Sequence, residues 1–146
     1  MGYCMSQIGC DIKITKAQQK KGFKPVQEKL LKDVDAKGGG GTWSGGKKTE
    51  SNYAWVDNDE IKNAKNLGDI CKAFRWEPEY DKNGDIVSLN FCGEKYGDED
   101  CLFEAIAPYI KNGSFIEVIG EDDCRWRWIF KKGKVKQVHA TITYEE

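Results

Sequence analysis

Apolar and polar positions alternate most clearly in the last third of the chain, where Gly113 to Thr143 reads GSFIEVIGEDDCRWRWIFKKGKVKQVHATIT. Runs this rich in Ile, Val, Trp and Phe, broken by glycine-containing turns, predict a three-strand antiparallel meander. Alternation puts Trp126, Trp128 and Phe130 on one face, and the charged residues Arg125, Arg127, Lys134 and Lys136 on the other. Near the start, Ile8, Ile12 and Ile14 predict a first strand within Tyr3 to Ile14.

The period changes at Thr15. Thr15 with Gln18 forms a capping box, Gly22 predicts a break, and Pro25 opens a second helical segment with Val26, Leu30, Leu31 and Val34 on one face. Residues 36–52 hold four consecutive glycines and a Gly-Gly pair on either side of Trp43, which predicts a flexible loop. Beyond it the pattern predicts a short strand at Tyr53 to Val56 and a helix starting at Asp57, bent at Gly68. A hairpin comes next, Trp76 to Tyr80 with Ile86 to Phe91 across an Asn-Gly turn. Leu102, Phe103, Ile106 and Ile110 then stripe a helix from Asp98 to Ile110, with Pro108 near its end. The expected fold class is α+β: a mainly antiparallel sheet, about three helices packed on one face, and the C-terminal meander, in a single domain over 1–146.

Composition narrows the function classes. No apolar run approaches the roughly 18 residues of a membrane helix, and no secretory signal is visible, so a cytoplasmic site is expected. The net charge of −1 conceals strong segregation. Residues 1–48 are basic, Asp57 to Asp123 is strongly acidic, and Cys124 to Gln137 is basic again. Such blocks steer association more than they shape a fold. The six cysteines form no Cys-x-x-Cys pair, which argues against a zinc cluster and for reduced thiols; no metal and no cofactor is expected.

Four motifs point to chemistry and fall short of it. Gly41 to Lys47 has P-loop spacing, but Lys48 stands where a hydroxyl is needed and no apolar strand precedes it. Glu79 to Ile86 approaches a calcium loop, but Asn90 occupies the twelfth position and strands flank it. Met1, Gly2 and Ser6 fit a myristoylation pattern, yet a strand begins at once. His139 has no evident Ser or Cys partner, so no catalytic residue is assigned and no enzyme is expected.

Two surface features remain. Glu94, Asp98, Glu99 and Asp100, joined to Glu121, Asp122 and Asp123, make an acidic surface able to imitate a phosphate backbone, with Trp43 as an apolar anchor. Arg125, Arg127, Lys134 and Lys136 make a basic β-ribbon able to bind phosphates.

Met1-Gly2-Tyr3, Ala107-Pro108-Tyr109, Gly113-Ser114-Phe115-Ile116-Glu117, Gly120-Glu121-Asp122, Trp126-Arg127-Trp128, Phe130 and Gly133 carry a likeness to a known group. The chain resembles small, uncharacterised proteins of phages, prophages and other mobile elements, over its opening residues and about its last forty. That resemblance implies a compact accessory domain of mobile-element origin and transfers no catalytic residue. The leading expectation is a non-catalytic protein that binds and inhibits a bacterial defence complex, in the manner of an anti-CRISPR protein. Its contacts would be the acidic residues and Trp43, and its partner a protein complex such as a nucleic-acid-binding effector, with no membrane involved. The alternative is direct binding of nucleic acid or a nucleotide ligand by the basic ribbon.

Overall fold

A computed structural model describes residues 2–145 and confirms the α+β class. Strand β1 (Met5–Asp11) leads into α1 (Lys16–Lys37), a hairpin of β2 (Gly40–Ser44) and β3 (Lys47–Asn52), and two short helices, α2 (Asn58–Lys62) and α3 (Leu67–Ala73). A second hairpin, β4 (Trp76–Tyr80) and β5 (Ile86–Phe91), precedes α4 (Glu99–Ile106), a 3-10 turn at Ala107–Tyr109, and the strands β6 (Ser114–Gly120), β7 (Arg125–Lys131) and β8 (Lys134–His139). There are thus four α-helices among the described residues, one more than the pattern predicted.

The main sheet runs β1-β6-β7-β8, antiparallel throughout, and the expected meander is its larger part. Strict alternation in β6 buries Ser114, Ile116, Val118 and Gly120, while β7 buries Trp126, Trp128 and Phe130 on the same face. Phe103 of α4 meets Trp128 edge-on at 4.8 Å and Phe130 at 5.8 Å, so this face carries the core. Lys132 and Gly133 both take positive φ, the requirement of a two-residue turn that matches the strand twist. The other hairpin joins the edge of the main sheet through a side chain: Gln7 of β1 donates to the Leu89 carbonyl and accepts from the Phe91 amide, both at 2.7 Å.

Several expectations are corrected. Helix α1 runs unbroken through Gly22 and Pro25. Glycine serves packing there, since a Cβ at position 22 would meet the Tyr109 ring at 2.7 Å. The segment 36–52, expected as a flexible loop, is the end of α1 and then the β2–β3 hairpin; its Gly45-Gly46 pair supplies the two positive-φ positions of the turn. Tyr53 to Val56 is no strand, because Tyr53 is pinned into the core by its hydroxyl on the Leu30 carbonyl at 2.7 Å and the Val56 amide closes a turn on Tyr53. The helix expected from Asp57 is two helices, since Asn66 caps α3 by accepting from the Asp69 amide at 2.8 Å.

Candidate functional site

Of the seven acidic residues expected to form one surface, three turn inward. Asp98 accepts from the backbone amides of Gly39 (2.9 Å) and Ala54 (2.7 Å), tying both ends of the β2–β3 hairpin to the start of α4. The side chain of Glu99 is 1% exposed. It accepts from both the Arg75 guanidinium, at 3.1 Å to each oxygen, and the indole N–H of Trp76 at 3.3 Å, with the Gly97 amide at 2.6 Å. Burial raises its carboxyl above the ordinary range, opposed by the Gly97 amide and by Arg75. Asp100 accepts from the Trp128 indole (2.7 Å), the Gln137 amide (3.0 Å) and the Tyr96 hydroxyl (2.7 Å). All three carboxylates are engaged by other segments of the chain.

The other four are brought together. Residues Tyr3 to Met5 run between the segment 94–96 and the β6–β7 turn: the Met5 amide bonds the Glu94 carbonyl, the Glu121 amide bonds the Cys4 carbonyl, and the Tyr96 amide bonds the Tyr3 carbonyl, at 2.7 to 3.0 Å. Glu94, Glu121, Asp122 and Asp123 are therefore exposed at one end of the main sheet. Lys95 lies among them, its ammonium 2.9 Å from the Cys4 sulfur; that hydrogen bond holds it protonated above its usual range, with added support from Glu121 and Glu94. The Tyr3 hydroxyl donates to Asp122, which pushes the phenol up to about 12 and holds the carboxyl below its usual range.

Trp43 stands on β2 with 63% of its surface exposed, so it does not fold back over the core. A second exposed tryptophan, Trp55, carries no signal in the sequence pattern. It lies 5.0 Å from the Arg75 guanidinium, which is also 5.2 Å from the Phe91 ring. Its stretch has the apolar composition of a strand, whereas its φ of 58° places it in a turn.

The basic ribbon has the expected facing. Arg125, Arg127, Lys134 and Lys136 are exposed on the side of the sheet away from the core. Arg127 is already engaged, paired with Glu117 across the β6–β7 register and lying 4.4 Å over the Phe115 ring. Arg125, Lys134 and Lys136 have no acidic side chain at ion-pair distance among the described residues.

The remaining motifs resolve structurally. Gly41 to Lys47 belongs to the β2–β3 hairpin and does not precede a helix, so it is not built as a P-loop. Asp81 spends its carboxylate on the amides of Asn83 (2.9 Å) and Asp85 (3.0 Å), closing the β4–β5 turn, in which Gly84 takes the positive φ. The myristoylation pattern starts at Met1, outside the described residues. All six cysteines are free thiols. Among the described residues no three His, Cys, Asp or Glu side chains group so as to hold a metal ion, and no helix is long and apolar enough to cross a membrane.

Beside the acidic end lies an open notch of about 440 Å³ that the sequence did not reveal. Tyr3, Tyr96, Trp126 and His139 line it, with Asp122, Cys124 and Gln137. Trp126 is its hub, with ring centroids 6.2 Å from Tyr3, 5.7 Å from Tyr96 and 6.3 Å from His139. Cross-strand pairing of Trp126 with His139 explains one side, but Tyr3 and Tyr96 arrive from distant segments whose contact no periodicity encodes.

No protein-family model, curated protein or solved structure matches the chain.

Proposed function

We propose that this protein is a non-catalytic binding protein of phage or mobile-element origin that docks on a bacterial defence complex in the host cytoplasm and blocks it. What carries the reading is the grouping of Glu94, Glu121, Asp122 and Asp123 at one end of the sheet, on segments cross-braced by backbone hydrogen bonds. Carboxylates held on a stiff frame present to a basic channel what a phosphate backbone presents, without the entropy cost of ordering a loop. Trp43 and Trp55 supply exposed aromatic surface of the kind that anchors protein interfaces. The tightly bonded carboxylates Asp98, Glu99 and Asp100 keep this frame in shape.

The test is protection. Expressed in bacteria carrying a panel of nucleic-acid-cleaving defence systems, the chain should raise the plating of phage restricted by one of them. Combined Glu121→Lys, Asp122→Lys and Asp123→Lys should abolish that protection while the variant still unfolds cooperatively near the wild-type temperature. Absence of protection across the panel, or protection that survives the reversal, would remove this reading.

A second reading is favoured by one observation, the exposure of Arg125, Lys134 and Lys136 on a shared strand face without acidic neighbours at ion-pair distance. It makes the ribbon a nucleic-acid contact. Oligonucleotide affinity should then fall steeply with salt and with Lys134→Glu plus Lys136→Glu, and stay unchanged in the acidic-turn variant.

A further inference from the structure

The chain houses its own guanidinium groups in a repeated way. Arg75 lies 5.0 Å from the Trp55 ring and 5.2 Å from the Phe91 ring, with its Nη2 on Glu99. Arg127 lies over Phe115 at 4.4 Å with its nitrogen on Glu117. Each combines an aromatic face, which attracts a planar cation through the ring quadrupole, with a carboxylate that accepts from one guanidinium nitrogen. The notch beside the acidic turn holds the same two components: the rings of Tyr3, Tyr96 and Trp126, with Asp122 at the edge. No lysine or arginine of the chain lines it.

We infer that this notch takes the guanidinium of an arginine presented by the partner protein, stacked on the half-exposed Tyr3 and Tyr96 rings with its nitrogens toward Asp122. The proposal rests on the docking reading above and specifies its chemistry. Charge complementarity selects a cation, because Glu121, Asp122 and Asp123 edge this end. Planarity selects arginine over lysine, since a guanidinium keeps its fork in plane while its face lies on a ring. Asp122 already accepts through its Oδ1 from the Tyr3 hydroxyl and the Cys124 amide, which fixes the carboxylate at the edge of the notch. Arginines are what a nucleic-acid-binding effector presents along its phosphate channel, so the notch would add directional recognition to the nonspecific attraction of the acidic turn.

The test needs no identified partner. Acetyl-Gly-Arg-Gly-amide is titrated into the full chain and monitored by NMR at the Trp126 indole and the Tyr3, Tyr96 and His139 rings. Acetyl-Gly-Lys-Gly-amide and guanosine monophosphate serve as comparisons. Saturable shifts confined to these four residues are expected, with the arginine peptide binding about threefold or more tighter than the lysine peptide. Asp122→Asn, at an exposed position and checked by its unfolding temperature, should weaken binding by about fivefold. His139→Ala, at the other wall, should leave more of the affinity in place than Asp122→Asn does. Equal binding of both peptides, preference for the nucleotide, shifts centred on Arg125 and Lys136, or concentration-dependent shifts without peptide that mark a second copy in the notch would each overturn the proposal. If the arginine peptide fails while the triple reversal still abolishes protection, the notch falls and the docking reading stands. If the peptide binds and no defence system is blocked, the docking reading falls and an arginine site remains.

Discussion

Gly97-Asp98-Glu99-Asp100-Cys101 and Gly120-Glu121-Asp122-Asp123-Cys124 have the same five residues in nearly the same order. In the first, all three carboxylates accept hydrogen bonds from other segments, and Glu99 is buried. In the second, all three stay exposed, and only Asp122 gains a side-chain partner. The residues immediately C-terminal to each pentapeptide decide the difference. Leu102, Phe103 and Ile106 pull the first under the sheet as the opening of α4, where its carboxylates meet Arg75, Trp76 and Trp128. Arg125 and Trp126 carry the second straight back along β7, leaving the acids at the reversal. Acidic composition is therefore neutral between a fastener and a contact surface, and the neighbouring apolar pattern chooses.

The largest effect should come from breaking the first cluster at its centre. Arg75→Ala leaves Glu99 buried without its cation, and should cost about 3–5 kcal/mol, the range for removing one partner of a buried pair. Urea unfolding at unchanged slope measures it. Any single neutralisation at Glu121 or Asp123 should sit far below that figure. If Arg75→Ala costs no more than those changes, the two pentapeptides are alike after all and the contrast between them fails.

Asp98→Ala should come next. It strips the acceptor from the amides of Gly39 and Ala54, two donors that flank the β2–β3 hairpin, and should cost about 1–2 kcal/mol on the scale of lost hydrogen bonds. Hydrogen exchange gives a sharper check than stability alone: protection should fall in residues 39–54 and hold in β6 and β7. Loss spread evenly over the chain would mean that Asp98 supports α4 rather than the hairpin.

This asymmetry also marks how far the sequence could be read. The meander, the β4–β5 hairpin and the α4 stripe were legible because each is a local period of two or 3.6 with its turn chemistry beside it. The unbroken α1 was not, since Gly22 looks like a helix breaker until the Tyr109 ring is seen against it, and those residues are far apart in the chain. The hairpin at 40–52 was hidden by glycines that favour a loop in isolation. In the candidate site, the exposure of Glu121 to Asp123 and the facing of Arg125 and Lys136 came from local pattern. The inward turn of Asp98, Glu99 and Asp100 did not, because it depends on Arg75 and Gln137, and the notch depends on Tyr3 and Tyr96 meeting Trp126.

The smallest effect tests the side-chain bond that ties Asp122 to a distant segment. Tyr3→Phe removes the hydroxyl that donates to Asp122 and leaves the ring over Trp126. With the bond present, the Asp122 carboxyl titrates below its ordinary value of 3.8 and the Tyr3 phenol is pushed up to about 12 from 10.0. The depressed carboxyl adds stability above its unfolded value, and that contribution fades as pH falls through the folded one. The raised phenol adds stability below pH 10.0, lost as pH rises toward about 12. In Tyr3→Phe the Asp122 titration, monitored by carboxyl carbon NMR, should move up toward 3.8, with unfolding changed far less than in Arg75→Ala. A carboxyl that stays depressed in the variant would mean that the Cys124 amide, not Tyr3, orders the turn, and the second pentapeptide would then be set by its own backbone.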